Sequence, residues 1–345
     1  MSNPDAALIA NLRTEVDRAL RTVLRGARRV ALVNFPNHGN PGDPAIWLGT
    51  RAALRRIGVR VGYQCAWDTF SADALRSAVP DGPVLLNGGG NFGDLYQGQQ
   101  GLREHLLSTL HGRRLIQLPQ SIHFRSQENL DRVRGLVTAH GDVTLMVREH
   151  RSQELAKKEF DADVRLAPDM AFGLGELPRL GIPRHDVLWL HRVPGDPEHV
   201  DHGGLPDGVT GSVVEWIHEQ PDEPEWRLDH RIAKHANEFL RSRAQADDRW
   251  ARHAWRPLGA TFEPLGHGWV RRGLHVLGSG RVVVTDKLHG HVLALLAGVP
   301  HVVLDNGYGK VSGVHQSWTH PSTLANWADT GDEARKLALG LLESR

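Results

Sequence analysis

Residues 282–306 constrain this chain more than any other stretch. Val282-Val283-Val284-Thr285 is an apolar β-branched run, Leu288, Leu295 and Leu296 recur at helical spacing, and His301-Val302-Val303-Leu304 is a second apolar run. The pattern is strand, helix, strand, the unit from which open parallel sheets are built. In such a unit the residues between strand end and helix start lie at the rim of the sheet, where ligands bind and where helix N–H groups favour an anion. Here that rim carries Asp286, Lys287, His289 and His291. The competing reading is structural, with Asp286 as a helix cap and His289 as a packed core histidine.

The first half of the chain repeats the same alternation. A helix of about twenty residues from Asp5 shows Leu8, Leu12, Val16 and Leu20 at helical spacing. Strands follow at residues 28–35, 59–63, 84–87, 114–118, 143–147 and 164–166, with helices between them. Six alternations predict a parallel sheet covered by helices. Polar residues recur at the strand exits: Asn40 and Asp43, Asn91 and Asp94, His123, Arg148 and Asp169. Asp43 followed by Pro44 reads as an N-cap with proline in the first turn. Gly88-Gly89-Gly90, with Gly93, reads as a loop shaping a cleft; its spacing is not that of a dinucleotide fingerprint.

Residues 176–185 read as a linker between a first unit, 1–175, and a second, 186–345, in which the last helix is a candidate to cross back to the first. Residues 193–227, rich in Pro, Gly, Asp and His, show no reliable element. A helix over 228–254, a helix over 269–277, a glycine-rich loop over 305–313 carrying Lys310, and a helical segment over 321–345 complete the reading.

Composition limits what the chain can do. With 41 Lys and Arg against 40 Asp and Glu, nothing in its bulk charge points to nucleic acid, so an anion site must be local. The single cysteine, Cys65, forms no internal disulfide, and a reducing cytosol is the expected compartment. The sequence offers no transmembrane segment, so any membrane contact is peripheral, at the inner face. The 21 histidines are scattered, and no metal site is expected from them.

Taken in order, Asn40-x-Gly42-Asp43 with Ala45-Ile46, the glycine loop, Pro119-Gln120-Ser121, Val147-Arg148-Glu149 with Ser152, Ala167-Pro168-Asp169, Leu288-His289 opening a helix that ends Ala297-Gly298-Val299-Pro300, and Lys310 resemble the polysaccharide pyruvyl transferases. The resemblance covers residues from about 30 to 315. It implies an α/β fold of two Rossmann-like domains facing a cleft, similar to B-type glycosyltransferases. It also implies transfer of pyruvyl from phosphoenolpyruvate to two hydroxyls of a saccharide acceptor, lipid-linked or not, giving a ketal and phosphate without metal or organic cofactor. Lys287 stands where the family usually has arginine, keeping the charge but losing the bidentate fork.

Phosphoenolpyruvate carries a carboxylate and a phosphate, so its site needs cations and preferably a helix N-terminus. Arg148, Lys287, Leu288, Lys310 and His123 are the expected donor-binding residues. His289 is the expected acid, and Asp43 and Asp94 are candidate bases. Asn40, Gly89, Gly90 and Asn91 are expected to shape the acceptor side. The same scaffold could instead serve a nucleotide-sugar glycosyltransferase or a non-catalytic saccharide-binding subunit.

Overall fold

A computed structural model of the chain describes residues 4–192, 199–216 and 224–344. The first half comprises α1 (Pro4–Leu24), β1 (Arg29–Phe35), α2 (Gly42–Arg56), β2 (Arg60–Ala66), α3 (Ala72–Ala78), β3 (Val84–Leu86), β4 (Gly89–Gly93), α4 (Gln97–Thr109), β5 (Leu115–His123), α5 (Gln127–His140), β6 (Val143–Val147), α6 (His150–Glu159) and β7 (Asp163–Leu166). The second comprises β8 (His185–Leu190), β9 (Gly211–Val214), α7 (Pro224–Ala246), α8 (Asp248–Ala260), α9 (Phe262–Gly278), β10 (Gly280–Thr285), α10 (Leu288–Leu296), β11 (His301–Val303), α11 (Lys310–Val314), β12 (Ala325–Trp327) and α12 (Gly331–Glu343).

Two parallel sheets result. The first runs β2-β1-β3-β5-β6-β7, with β4 added beside the end of β5; the second runs β12-β11-β10-β8-β9. Strands β3 and β6 are buried throughout, as expected of apolar runs covered on both faces. A shared apolar core joins the sheets, extending from Leu32, Phe35 and Trp47 through Phe262 to Val283 and Val303. Phe35 stacks on Phe262 at its centre, ring centroids 4.1 Å apart. The segment expected to be a linker is anchored: Leu177 and Leu180 pack on this core, and the Leu177 N–H donates to the Leu296 carbonyl at 2.8 Å.

Several boundaries differ from the sequence reading, each for a local reason. The glycine-rich stretch is not a loop but β4, pairing Gly89 with Gln120 and Gly93 with His123. Strand β5 continues through Pro119 to His123; the missing proline N–H coincides with a register shift against β6 between Gln117 and Gln120. Helix α2 starts at Gly42, so Asp43 lies inside its first turn rather than at the cap; the N-cap is Pro41, and the Asn40 side-chain Oδ1 accepts from the Gly42 N–H at 3.0 Å.

The expected helix over 228–254 is two helices, broken where the Asp247 carboxylate accepts the Arg249 N–H and caps α8. Strand β9 lies within the stretch where no element was readable; residues 193–198 and 217–223 of that stretch lie outside the described residues. The C-terminal segment is not all helical: β12 precedes α12. Helix α12 does not cross back, since Ala334 and Ala338 pack on Val282 and Val302 of the second sheet. The glycine loop after β11 ends at Gly309, and Lys310 opens α11.

Candidate active site

The carboxyl ends of strands from both sheets open on one cavity of about 400 Å³. Asn34 lies at the end of β1 and Pro36 follows it, Asn87 and Gly88 follow β3, and Arg148 follows β6. From the second sheet come Arg192 after β8, Glu215 and Trp216 after β9, and Lys287, Leu288 and His289 after β10. This is where parallel sheets present ligands, because successive strand exits converge there.

Arg148 is fixed before any ligand arrives. It is 1% exposed; its Nε donates to Ser121 Oγ at 2.9 Å and its Nη1 to Asp169 Oδ2 at 2.6 Å. Ser121 in turn donates to Glu149 Oε2 at 3.0 Å, and Ser152 donates to the other Glu149 oxygen. Burial raises the Glu149 carboxyl above its ordinary value, against the lowering effect of Arg148 and the two serines. The remaining guanidinium nitrogen, Nη2, faces Gly90. A Cβ on Gly90 would stand 3.3 Å from Arg148 Nη2 and 3.4 Å from Lys310 Nζ, so the bare glycine leaves two cations bordering one small space.

Two histidine–carboxylate pairs border the same cavity. His289 Nε2 lies 3.4 Å from Asp169 Oδ2, across the junction of the two sheets. Burial would raise the Asp169 carboxyl, but hydrogen bonding and charge from His289, with Arg148 and the Ala171 N–H, hold it well below the usual carboxylate range. The second pair is His38 Nε2 and Asp43 Oδ2, 3.2 Å apart. Burial opposes ionisation of Asp43, yet His38, with His289 and Lys310, brings it down to about 2. Burial would lower the His38 imidazole, but the Asp43 hydrogen bond and charge raise it above its ordinary value. Gly42 makes this geometry available: a Cβ there would stand 2.3 Å from His289 Nδ1, so only glycine lets α2 approach α10 so closely.

Of the expected site residues, Asn40, Asp43, Gly90, Asn91, Arg148, Lys287, Leu288, His289 and Lys310 line the cavity. Lys287 forms an ion pair with buried Glu215, which offsets the charge it would offer a donor. Gly89 lies in β4 between two lining residues, near the Asp43 carboxylate. His123 is outside the lining; it stacks on Tyr308, centroids 4.6 Å apart, and the Tyr308 ring centroid is 5.4 Å from Lys310 Nζ. Asp94 is also outside: its carboxylate accepts the Arg125 and Ser126 N–H groups and the Asn129 amide at the start of α5, which is a structural assignment.

At the rim of α10, Asp286 does not cap the helix but turns to the Arg192 backbone, and His291 faces the interior. Sequence reading missed His38, Glu215, Trp216 and Arg192 as lining residues. His38 stood within a loop already singled out, whereas Glu215 and Trp216 follow a four-residue strand with no periodic signal. The amide of Asn91 is oriented by its surroundings, since its oxygen accepts from Arg103 Nη2 at 3.0 Å and Gln120 Nε2 at 2.6 Å. Among the described residues no group of three His, Cys, Asp or Glu side chains is placed to hold a metal ion.

A parallel α/β scaffold with cations and a helix N-terminus at its strand exits defines a class of proteins that bind small anionic ligands. Comparison with known proteins narrows the class. The family model for polysaccharide pyruvyl transferase matches residues 40–308, and the chain belongs to that family. Among its relatives, Pyruvyl transferase 1 of Schizosaccharomyces pombe is 31% identical, over 92% of this chain and 76% of the relative. EpsO of Bacillus subtilis, provisionally named a pyruvyl transferase, is 28% identical over 88% of this chain and 90% of its own length. The crystal structure of a functionally uncharacterised Klebsiella pneumoniae protein shares the fold, with TM-score 0.55 and 18% identity over 93% of this chain and 99% of that one.

Proposed function

We propose that this protein transfers the pyruvyl group of phosphoenolpyruvate to two hydroxyls of a saccharide, forming a cyclic ketal and releasing phosphate. The observation that carries the reading is the space beside Gly90, bordered by Arg148 Nη2 and Lys310 Nζ and placed close to the N-terminus of α10. A ligand bearing a carboxylate and a phosphate needs such a set of donors, and a guanidinium fixed in advance, as Arg148 is, binds it with little ordering cost. We also propose that the two sheets are the Rossmann-like halves of an arrangement similar to B-type glycosyltransferases, with the acceptor entering between them.

The chemistry divides between the two histidine–carboxylate pairs. His289, oriented by Asp169, gives a proton to the methylene carbon of phosphoenolpyruvate, leaving an oxocarbenium-like centre at C2. One sugar hydroxyl adds to that centre while a base removes its proton. Loss of phosphate regenerates the electrophile, and the second hydroxyl closes the ring, passing its proton to the His289 imidazole left deprotonated by the first step. Asp43, held at about 2, is a weak proton acceptor, so His38 is the better base and Asp43 its orienting partner. Arg148 and Lys310 stabilise the departing phosphate.

The test is product analysis after incubation with phosphoenolpyruvate and a panel of saccharides in D₂O. Ketal formation by this route places one solvent deuterium in the pyruvyl methyl group and releases one phosphate per transfer. A product that keeps the vinyl methylene, or transfer from a nucleotide sugar with phosphoenolpyruvate untouched, contradicts the reading.

A further inference from the structure

Helix α7 is amphipathic in an inverted sense. Its inner face carries Ala233, Asn237, Leu240 and Ala244, three of them small or polar, packed against the protein. Its outer face carries Leu228, Ile232 and Phe239, which are 63%, 60% and 56% exposed. At 3.6 residues per turn these three side chains fall within roughly 40° of one another, a single apolar stripe along the helix. Isolated surface leucines need no explanation, but an aligned stripe of large apolar groups on a solvent face does.

We propose that this stripe docks the protein on an anionic lipid bilayer surface. Charge selects that occupant. Residues 228–260 contain seven Arg and Lys against four Asp and Glu, a local excess of three positive charges around the stripe. Exposed Arg231 and Arg243 flank the stripe, and the Arg243 guanidinium sits 5.5 Å from the Phe239 ring centroid. Lys234 and His235 lie near Glu238, the acidic residue at the stripe's edge. The adjoining α8 exposes Trp250 together with Arg249, Arg252 and Arg256. Apolar groups bordered by arginines on one helix face are the elements of an interfacial helix, which lies in the headgroup region without spanning it. No helix among the described residues is long and apolar enough to cross a membrane.

The position of α7 links this surface to the cavity. On its inner face Asn237 Oδ1 accepts from Asn37 Nδ2 at 3.0 Å, beside cavity-lining His38, and Arg241 pairs with Asp68. A docked α7 sets that rim loop about one helix diameter, roughly 10 Å, from the lipid. An acceptor saccharide presented from the membrane on a lipid carrier is then within reach. This last step rests on the transferase reading; the docking itself does not.

The experiment is co-sedimentation of the full chain with phosphatidylglycerol–phosphatidylcholine vesicles and with phosphatidylcholine vesicles alone. Binding to the anionic vesicles, weakened by salt and lower by at least about tenfold in an Ile232→Glu/Phe239→Glu variant, is the expected result. Both positions are exposed, so that variant keeps the parent's circular dichroism and thermal midpoint. An Arg231→Gln/Arg243→Gln variant loses the preference for anionic lipid. Absence of vesicle binding, binding untouched by the apolar substitutions, or concentration-dependent dimers abolished by the same substitutions would overturn the proposal, the last by assigning the stripe to a second copy. None of these outcomes alters phosphate release with a soluble acceptor, so failure here is distinct from failure of the proposed reaction.

Discussion

Helix α10 presents two histidines to two different worlds. His289 faces the cavity, where Asp169, Arg148, Asp43 and Lys310 surround it. His291, half a turn later, faces the interior. Its Nδ1 meets His301 Nε2 at 2.8 Å, its Nε2 meets Thr319 Oγ1 at 2.8 Å, and His301 Nδ1 contacts the Val299 carbonyl at 2.8 Å. Burial depresses both interior rings, His291 well below the ordinary histidine value and His301 to about 4, with neighbouring histidines adding to the effect on His291. Helix phase, not residue type, separates a group surrounded by fixed charges from one held neutral by burial.

Substitutions on the cleft side are expected to move turnover, and those on the interior side stability. The largest effect is expected for Asp43→Asn, which removes the partner of His38. Turnover should fall by ~10²- to 10⁴-fold. In the proposed mechanism neutral His38 is the base, so activity should rise with pH through the His38 titration. Without Asp43 to raise that value, the acidic limb of the kcat–pH profile should move to lower pH, and an unmoved limb would remove His38 from the mechanism. Gly42→Ala comes next. Its Cβ would overlap the His289 ring, and a displacement of about 1 Å costs on the order of 10²-fold in kcat with little change in donor binding.

Lys310→Ala should act on binding instead. Loss of a charge-assisted contact raises the KM for phosphoenolpyruvate by roughly ten- to a hundredfold, read from initial rates of phosphate release. Arg148→Ala is a poorer probe of the same point, because it leaves buried Asp169 without its guanidinium and destabilises the fold. The smallest effect belongs to the interior. His291 and His301 bind protons more weakly folded than unfolded, so the unfolded chain protonates first as the pH falls below about 6.5. Stability is therefore lost on acidification, by on the order of 1 kcal/mol per pH unit for each ring, until His301 itself protonates near 4. Urea midpoints between pH 7 and 5 should show a shallower slope in His301→Gln.

Much of this architecture was legible because its signals are local. The β10–α10–β11 unit, six of the seven strands of the first sheet and nine of the nineteen cavity-lining residues follow from apolar runs and the polar residues at their ends. Asp94 lies outside the cavity lining because a strand-exit carboxylate serves equally well to hold a distant loop, here through the Arg125 and Ser126 N–H groups ahead of α5. His291 was grouped with His289 because both sit near a helix start; their divergence is settled by a packing partner, His301, on another strand. The His289–Asp169 pairing joins the exits of different sheets, to which spacing carries no clue, and the His38–Asp43 pairing depends on how the loop between β1 and α2 turns. Strand β9 and its exit residues Glu215 and Trp216 escaped because four residues at a sheet edge leave no period to detect.

The assignment of opposite roles to the two faces of α10 is tested most directly by phosphate release per folded molecule and thermal midpoint, measured side by side for His289→Gln and His291→Gln. The expected result is a ~10²- to 10⁴-fold lower kcat with a near-parental midpoint for His289→Gln, and a lowered midpoint with near-parental turnover of the folded fraction for His291→Gln. The reverse pattern, or equal loss of turnover in both variants, would contradict the account.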